Sequence, residues 1–204
     1  MVEDKSKVKM ILSILIRLNK VPKIKATILI SAIFSLFFII GTSAGDVGDE
    51  KHYRLALKLL QEGKYHNAES ILSLGIKKYP KAAKLYFLRG DVRHTYAKRY
   101  IEAIQDYTVV IKLDIKNNPK VLWRRGDSFY EIGIYQQAIK DYSSCLHMLP
   151  KYGKVHLKRA KAWGKLGMIH NAIRDIQMAV RYDPKYEAEA QRLLNNILTS
   201  SDSY

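Results

Sequence analysis

A single cysteine, Cys145, in 204 residues rules out an internal disulfide. It occupies a small-residue slot shared with Gly75 and Ala179, so it reads as a buried packing residue rather than a reactive thiol. Catalytic signatures are missing as well: there is no HExxH, no GxSxG, no P-loop and no glycine fingerprint after a strand. The six histidines, among them His52, His66, His94 and His156, fall in different segments without metal-ligand spacing. No alternating apolar pattern marks a strand on which an active site would sit. The chain therefore reads as a binding protein with no catalytic residue, no metal and no cofactor. Acidic residues are also in short supply, 19 against 35 Lys and Arg, for a formal charge of +16. Such a surface favours acidic partners: acidic peptides, anionic lipid headgroups, or polyanions including nucleic acid.

The charge is unevenly laid out at the start. Residues 1–25 carry seven Lys/Arg against Glu3 and Asp4, and residues 26–45 carry no charge at all before Asp46. Basic residues ahead of an apolar run keep that end in the cytoplasm, so residues 1–25 read as a basic cytoplasmic leader. The repeat domain that follows is then expected on the non-cytoplasmic side: periplasm, secretory lumen or extracellular space. Thr42-Ser43-Ala44 fits a signal-peptide cleavage site, whereas the whole uncharged run of 20 residues is long enough for an uncleaved transmembrane anchor. Both readings of 26–45 stay open, as does a start at Met10. Without the leader the chain still carries about +11. Export argues against nucleic acid as the partner.

Beyond residue 45 a unit of about 34 residues recurs four times. Gly126 and Ala160, Ala138 and Ala172, and Pro150 and Pro184 are each separated by 34 positions. Earlier copies carry Gly90 and Ala103, then Ala68, Gly75 and Pro80. Each copy reads as two amphipathic helices with a short break at Gly63-Lys64-Tyr65, Lys98-Arg99-Tyr100, Gly133-Ile134-Tyr135 or Gly167-Met168-Ile169. Small residues stand where paired helices must approach closely.

At these residues the chain resembles the tetratricopeptide-repeat family. The resemblance covers Asp49 to Tyr186 and implies an all-α, right-handed superhelical solenoid, preceded here by the N-terminal hydrophobic helix. Repeats are expected over about 49–82, 83–118, 119–152 and 153–186, with a capping helix over 187–199, all within a domain of residues 46–204. Two departures stand in the second copy: one extra residue between Gly90 and Ala103, and Ile115 where proline is usual.

The first helix of each repeat offers a face at helical spacing: Lys120, Trp123, Arg124, Asp127, Tyr130 and Glu131 in the third copy. The second copy gives Lys84, Phe87, Leu88 and Asp91 there, and the fourth gives Lys154, Leu157, Lys158 and Lys161. In the family this face lines a concave groove for extended peptides or partner helices. The resemblance thus implies a basic, aromatic peptide-binding groove built from Lys84, Phe87, Lys120, Trp123, Arg124, Tyr130, Lys154, Lys158 and Lys161. Its partner is a protein or an acidic or C-terminal carboxylate segment, held by charge-assisted hydrogen bonds. The asparagines used by members that clamp chaperone C-termini are absent, with Leu57, Leu88, Asp91 and Arg124 in their places.

A second basic series is structural. Arg89, Arg125 and Arg159 precede the small residue of their first helices, and Asp106, Asp141 and Asp175 lie three residues beyond the alanine of their second helices. The first copy has Leu55 and Ile71, so both members are present or both absent, which suggests an ion pair crossing each helix pair. The reading is a non-catalytic protein-interaction scaffold. Alternatives are a chaperone or co-chaperone for exported proteins, resembling the repeat region of lumenal DnaJ-type co-chaperones without a J domain, and a basic surface docking on anionic membrane or polyanion. Membrane contact would come through 26–45 if uncleaved. Self-association through the acidic Asp46–Glu50 stretch leaves the oligomeric state open.

Overall fold

A computed structural model describes residues 46–113 and 118–201. Among them there is no strand, and the chain runs as α1 (Asp46–Gln61), α2 (Tyr65–Lys78), α3 (Ala83–Thr95), α4 (Tyr100–Leu113), α5 (Pro119–Glu131), α6 (Tyr135–Met148), α7 (Gly153–Lys165), α8 (Ile169–Tyr182), a 3-10 turn (Pro184–Tyr186) and α9 (Glu187–Ser201). No helix among the described residues is long and apolar enough to cross a membrane. The leader and the uncharged run 26–45, expected to form a hydrophobic helix, lie outside the described residues, as does Ile115.

Consecutive helices pack as hairpins, and hairpins stack into an all-α solenoid. The second helix of each pair buries one stripe: Ala103, Asp106, Tyr107, Val110 and Ile111 in α4, or Ala172, Asp175, Ile176 and Ala179 in α8. First helices bury more of their circumference. In α5, Val121, Leu122, Trp123, Gly126, Asp127 and Ser128 are all enclosed, because α4 flanks one side and α6 the other. First helices also touch the next first helix, α3 on α5 and α5 on α7, while no comparable contact joins successive second helices. The first helices therefore form the inner layer of the stack.

Inside each hairpin three turns use a glycine in the left-handed region, Gly63 at φ 72°, Gly133 at 79° and Gly167 at 68°. The following amide reaches back to close the helix, Lys64 N to Leu59 O at 2.8 Å, Ile134 N to Phe129 O at 2.9 Å and Met168 N to Trp163 O at 2.9 Å. In the second repeat Lys98 takes the left-handed place at φ 52°, and Arg99 N bonds Arg93 O at 2.9 Å across a wider loop. The extra residue of that copy is absorbed there.

Close approach within a hairpin is matched by size. A Cβ on Gly90 would lie 2.7 Å from the Tyr107 ring, and one on Gly126 would lie 2.8 Å from the Tyr142 ring. Where the first helix carries Ala56 or Ala160 instead, the second helix carries the smaller Leu72 or Ile176. Glycine thus accompanies tyrosine, and alanine accompanies an aliphatic chain. The core runs through three buried clusters, with Tyr86 packed against the first two and Trp163 against the last two. At the far end α9 lays Ala190 and Ile197 over α7 and α8, with Gly164 making room for Ile197.

Candidate functional site

Two charge ladders climb the solenoid, one inside the helix pairs and one on the inner face. In the interior ladder each arginine grips its aspartate with two parallel hydrogen bonds: Arg89 to Asp106 at 3.0 and 2.7 Å, Arg125 to Asp141 at 2.8 and 2.8 Å, and Arg159 to Asp175 at 2.7 and 2.7 Å. A third arginine hydrogen bond reaches back to the preceding second helix, to Ser73 at 3.0 Å, Thr108 at 3.1 Å and Ser143 at 2.9 Å. Each arginine thereby ties together three helices. The hydroxyl partners had a sequence signal that covariation of Arg with Asp overlooks, a Ser or Thr in the same slot of three second helices. Arg93 adds a bond to Asp106 at 2.9 Å and one to Glu69 at 2.8 Å.

Asp175 has a further partner, with His156 Nδ1 at 2.9 Å and His156 Nε2 bonded in turn to Pro150 O at 2.9 Å. Burial alone would raise the Asp175 carboxyl, but the hydrogen bonds from Arg159 and His156 outweigh it and hold the group below its ordinary 3.8. A carboxylate depressed in the folded state stabilises fully above its unfolded value and loses that contribution as pH falls through the folded value. The denaturant midpoint is therefore expected to drop below about pH 4. Asp175→Asn should be less stable at pH 7 and should lose less on acidification; a variant with an unchanged acid limb would remove Asp175 from the account.

On the inner face, cations reach across from one first helix to the acids of the previous one. Lys84 lies 3.0 Å from Glu50 and 3.3 Å from Asp49, Arg124 lies 3.3 Å from Asp91, and Lys158 donates to Asp127 at 2.8 Å. Lys161 continues the series into α9 with a bond to Glu189 at 2.8 Å. Asp91 and Asp127 also accept the Tyr107 and Tyr142 hydroxyls, at 2.7 and 2.8 Å. Burial, then the neighbouring aspartate, pushes both phenols far above the usual tyrosine value, so they remain donors. These acids were hidden from a reading of single helices, because each serves a cation 31 to 33 residues away on the next repeat.

Trp123 is the hub of the inner face. Arg124 Cζ, Lys154 Nζ and Lys158 Nζ stand 4.6, 5.1 and 5.5 Å from its ring centroid. The cations and the T-shaped Tyr152 ring at 6.4 Å leave Trp123 only 4% exposed, so it is a covered platform rather than an open rung. Its indole Nε1 makes no hydrogen bond. Lys154 has no carboxylate partner among the described residues, and burial, then the charges of Lys158 and Arg124, depress its ammonium below the ordinary value. Lys120 is likewise without a carboxylate and lies over the Phe87 ring at 5.2 Å, while Phe87 packs on Tyr107.

Tyr130, Lys158 and Lys161 line a polar cleft of about 170 Å³ with His94, Asp127, Glu131 and Tyr142. Burial holds the His94 imidazole below its ordinary value, and its Nδ1 lies 2.8 Å from Ser128 Oγ. The structure thus brings Trp123, Arg124, Lys154 and Lys158 into one cluster, sets Phe87 and Lys120 together, and groups Tyr130 with Lys161. Lys84 stands apart, engaged by the first turns of α1. Among the described residues no group of three or more His, Cys, Asp or Glu is placed to hold a metal.

No family model matches the chain. Among curated proteins, a DnaJ homolog subfamily C member 7 homolog from Dictyostelium discoideum is 28% identical over 99 residues, covering 47% of this chain. The aligned segment spans only 18% of that protein. Solved structures align more widely. MamA (residues 41 to the end) from Desulfovibrio magneticus RS-1 superposes with a TM-score of 0.70 at 17% identity, over 76% of this chain and 86% of that one. YrrB, described as a TPR protein with an unusual peptide-binding site, superposes with a TM-score of 0.64 at 14% identity, over 74% of this chain and 76% of that one. A tetratricopeptide repeat protein from Parabacteroides merdae ATCC 43184 gives 0.66 at 19% identity, over 76% and 62%. Stacked hairpins of this length, with these neighbours, give the chain the tetratricopeptide-repeat fold.

Proposed function

We propose that the chain is a non-catalytic scaffold that recruits a protein partner through an acidic or C-terminal carboxylate segment laid along the inner face. The observation that carries this reading is the convergence of Arg124, Lys154 and Lys158 on one indole, with Lys154 in no ion pair among the described residues. A ligand carboxylate beside Lys154 would relieve the crowding of like charges that now disfavours its ammonium. Lys120, above Phe87 and in no ion pair among the described residues, offers a second contact one turn before Trp123. Arg124 and Lys158 are already balanced by Asp91 and Asp127, so they contribute position and field more than fresh binding charge. YrrB, with the same fold, is described as having an unusual peptide-binding site, which supports peptide recognition as a use of this fold.

The scaffold is proposed to act outside the cytoplasm, either held by residues 26–45 in a bilayer or released after their removal. A co-chaperone role is the second reading, favoured by the 99-residue likeness to a DnaJ homolog. Titration of the full chain with a fluorescent acidic peptide tests the groove. Lys154→Ala and Lys120→Ala are each expected to weaken binding by about 10- to 100-fold, the range of a charge-assisted hydrogen bond. Binding by both variants at the wild-type level removes the proposal. Preference for a chaperone C-terminal peptide over a scrambled acidic peptide would favour the second reading.

A further inference from the structure

Lys120 and Lys154 stand near the starts of α5 and α7, and the far end of α5 carries a charge of the opposite sign. Glu131, its last residue, is exposed and enters no ion pair among the described residues. Between these ends the charges are matched: Arg124 with Asp91, Lys158 with Asp127, and Lys161 with Glu189. Glu131 lies in the wall of the polar cleft of about 170 Å³, which three successive first helices build. Lys165, a turn beyond Lys161 on α7, is outside its lining.

Hydrogen bonding fixes what His94 offers the cleft. Ser128 Oγ donates to Arg124 O at 3.3 Å, so it accepts from His94 Nδ1 at 2.8 Å. Burial holds the imidazole below its ordinary value and hence neutral at pH 7, which leaves Nε2 with a bare lone pair. Tyr130 adds an aromatic wall, braced edge-on by the Tyr135 ring at 5.4 Å. A carboxylate without a counter-charge, an imidazole lone pair and a phenol ring together suit an ammonium or guanidinium. Lys158 and Lys161 oppose such a guest weakly, because each already has a carboxylate at 2.8 Å.

The two ends are a peptide's length apart. Lys154 Nζ stands 5.1 Å from the Trp123 ring centroid, and Glu131 follows Trp123 by eight positions on the same helix, about 12 Å along its axis. An extended chain covers that distance in about four residues, an even interval that returns side chains to the same face.

We propose that the cleft receives a lysine or arginine side chain of the bound segment, about four residues from the carboxylate held at Lys154. This rests on the groove reading above and makes the ligand a segment of two opposite charges at a fixed interval. The full chain is titrated with fluorescent peptides in which aspartate and arginine are separated by three serine or alanine residues, in both orders. Companion peptides carry alanine in place of arginine, or arginine directly beside the acid. In one order the spaced arginine should tighten binding about three- to tenfold over alanine, and the adjacent arginine less than about twofold. Glu131→Gln should erase that gain and leave the alanine peptide's affinity unchanged. Glu102→Gln, the same loss of charge on α4, should keep the gain. The His94 Nε2 nitrogen resonance should move with the spaced arginine peptide and not with the alanine peptide.

Equal affinity for the spaced arginine and alanine peptides, a gain that survives Glu131→Gln or vanishes in Glu102→Gln, or an unmoved His94 resonance overturns the proposal. In each of those cases Lys154-dependent binding of the alanine peptide leaves the groove reading standing. An alanine peptide that binds no better after its acid is restored from serine, or that ignores Lys154→Ala, sinks the groove reading and this proposal with it.

Discussion

Asp141→Ala is expected to destabilise the protein by about 3 to 5 kcal/mol, because it leaves the Arg125 guanidinium largely buried without its counter-charge. The loss should exceed that of Arg125→Met combined with Asp141→Leu, in which both charges leave together and the volume is filled. That ordering follows from desolvation: a buried ion pair contributes little net stability, whereas half of one is costly. Thr108 sharpens the test. Its hydroxyl accepts a third Arg125 N–H, on Nη1, at 3.1 Å, so Thr108→Val should cost only about 0.5 to 1.5 kcal/mol on its own. Denaturant midpoints for the three variants check the ranking. A single-site loss under about 1 kcal/mol at Asp141 would mean that water reaches the guanidinium, and the interior ladder would then be peripheral to stability.

Trp123→Ala carries the second large effect, about 3 to 5 kcal/mol from the emptied volume. It should also abolish acidic-peptide binding at temperatures where the variant remains folded. Trp123→Leu separates the two consequences. It keeps part of the apolar bulk and discards an indole N–H that bonds to nothing, so it should cost less stability than the alanine variant. It also removes the aromatic face under Arg124, Lys154 and Lys158, each contact worth about 0.5 to 1 kcal/mol. Weak peptide binding by a stable leucine variant is the expected result. A leucine variant that binds as wild type would mean that the ring merely fills space.

The hairpins were readable because their signal is local and repeated. Landmarks 34 residues apart, a glycine at three of the four breaks and a proline at three of the four repeat ends report on backbone demands met within one unit. Even the irregular second repeat was visible as one surplus residue, although nothing in the sequence said that Lys98 would take the left-handed place. The inner face was less readable. A helical wheel puts Trp123 and Arg124 on one side of α5, but it cannot show that the ammonium groups of Lys154 and Lys158 of α7 stand over the indole. Nor does it show that Asp91 lies within reach of Arg124. Such pairings are set by the rise from one hairpin to the next, a tertiary quantity. The fit of glycine to tyrosine and alanine to aliphatic chains stood in the sequence, yet it acquires meaning only once Gly126 is seen to lie under the Tyr142 ring.

The backward bond of each arginine gives the stack a direction. Ser73, Thr108 and Ser143 precede the arginines they serve, so a chain growing from its N-terminus always presents a finished acceptor to the next guanidinium. Removing hairpins from the C-terminal end strands only a hydroxyl, which water readily satisfies. Removing them from the N-terminal end instead frees a guanidinium N–H that keeps its own aspartate, so trimming the two ends exposes groups of opposite hydrogen-bonding sense.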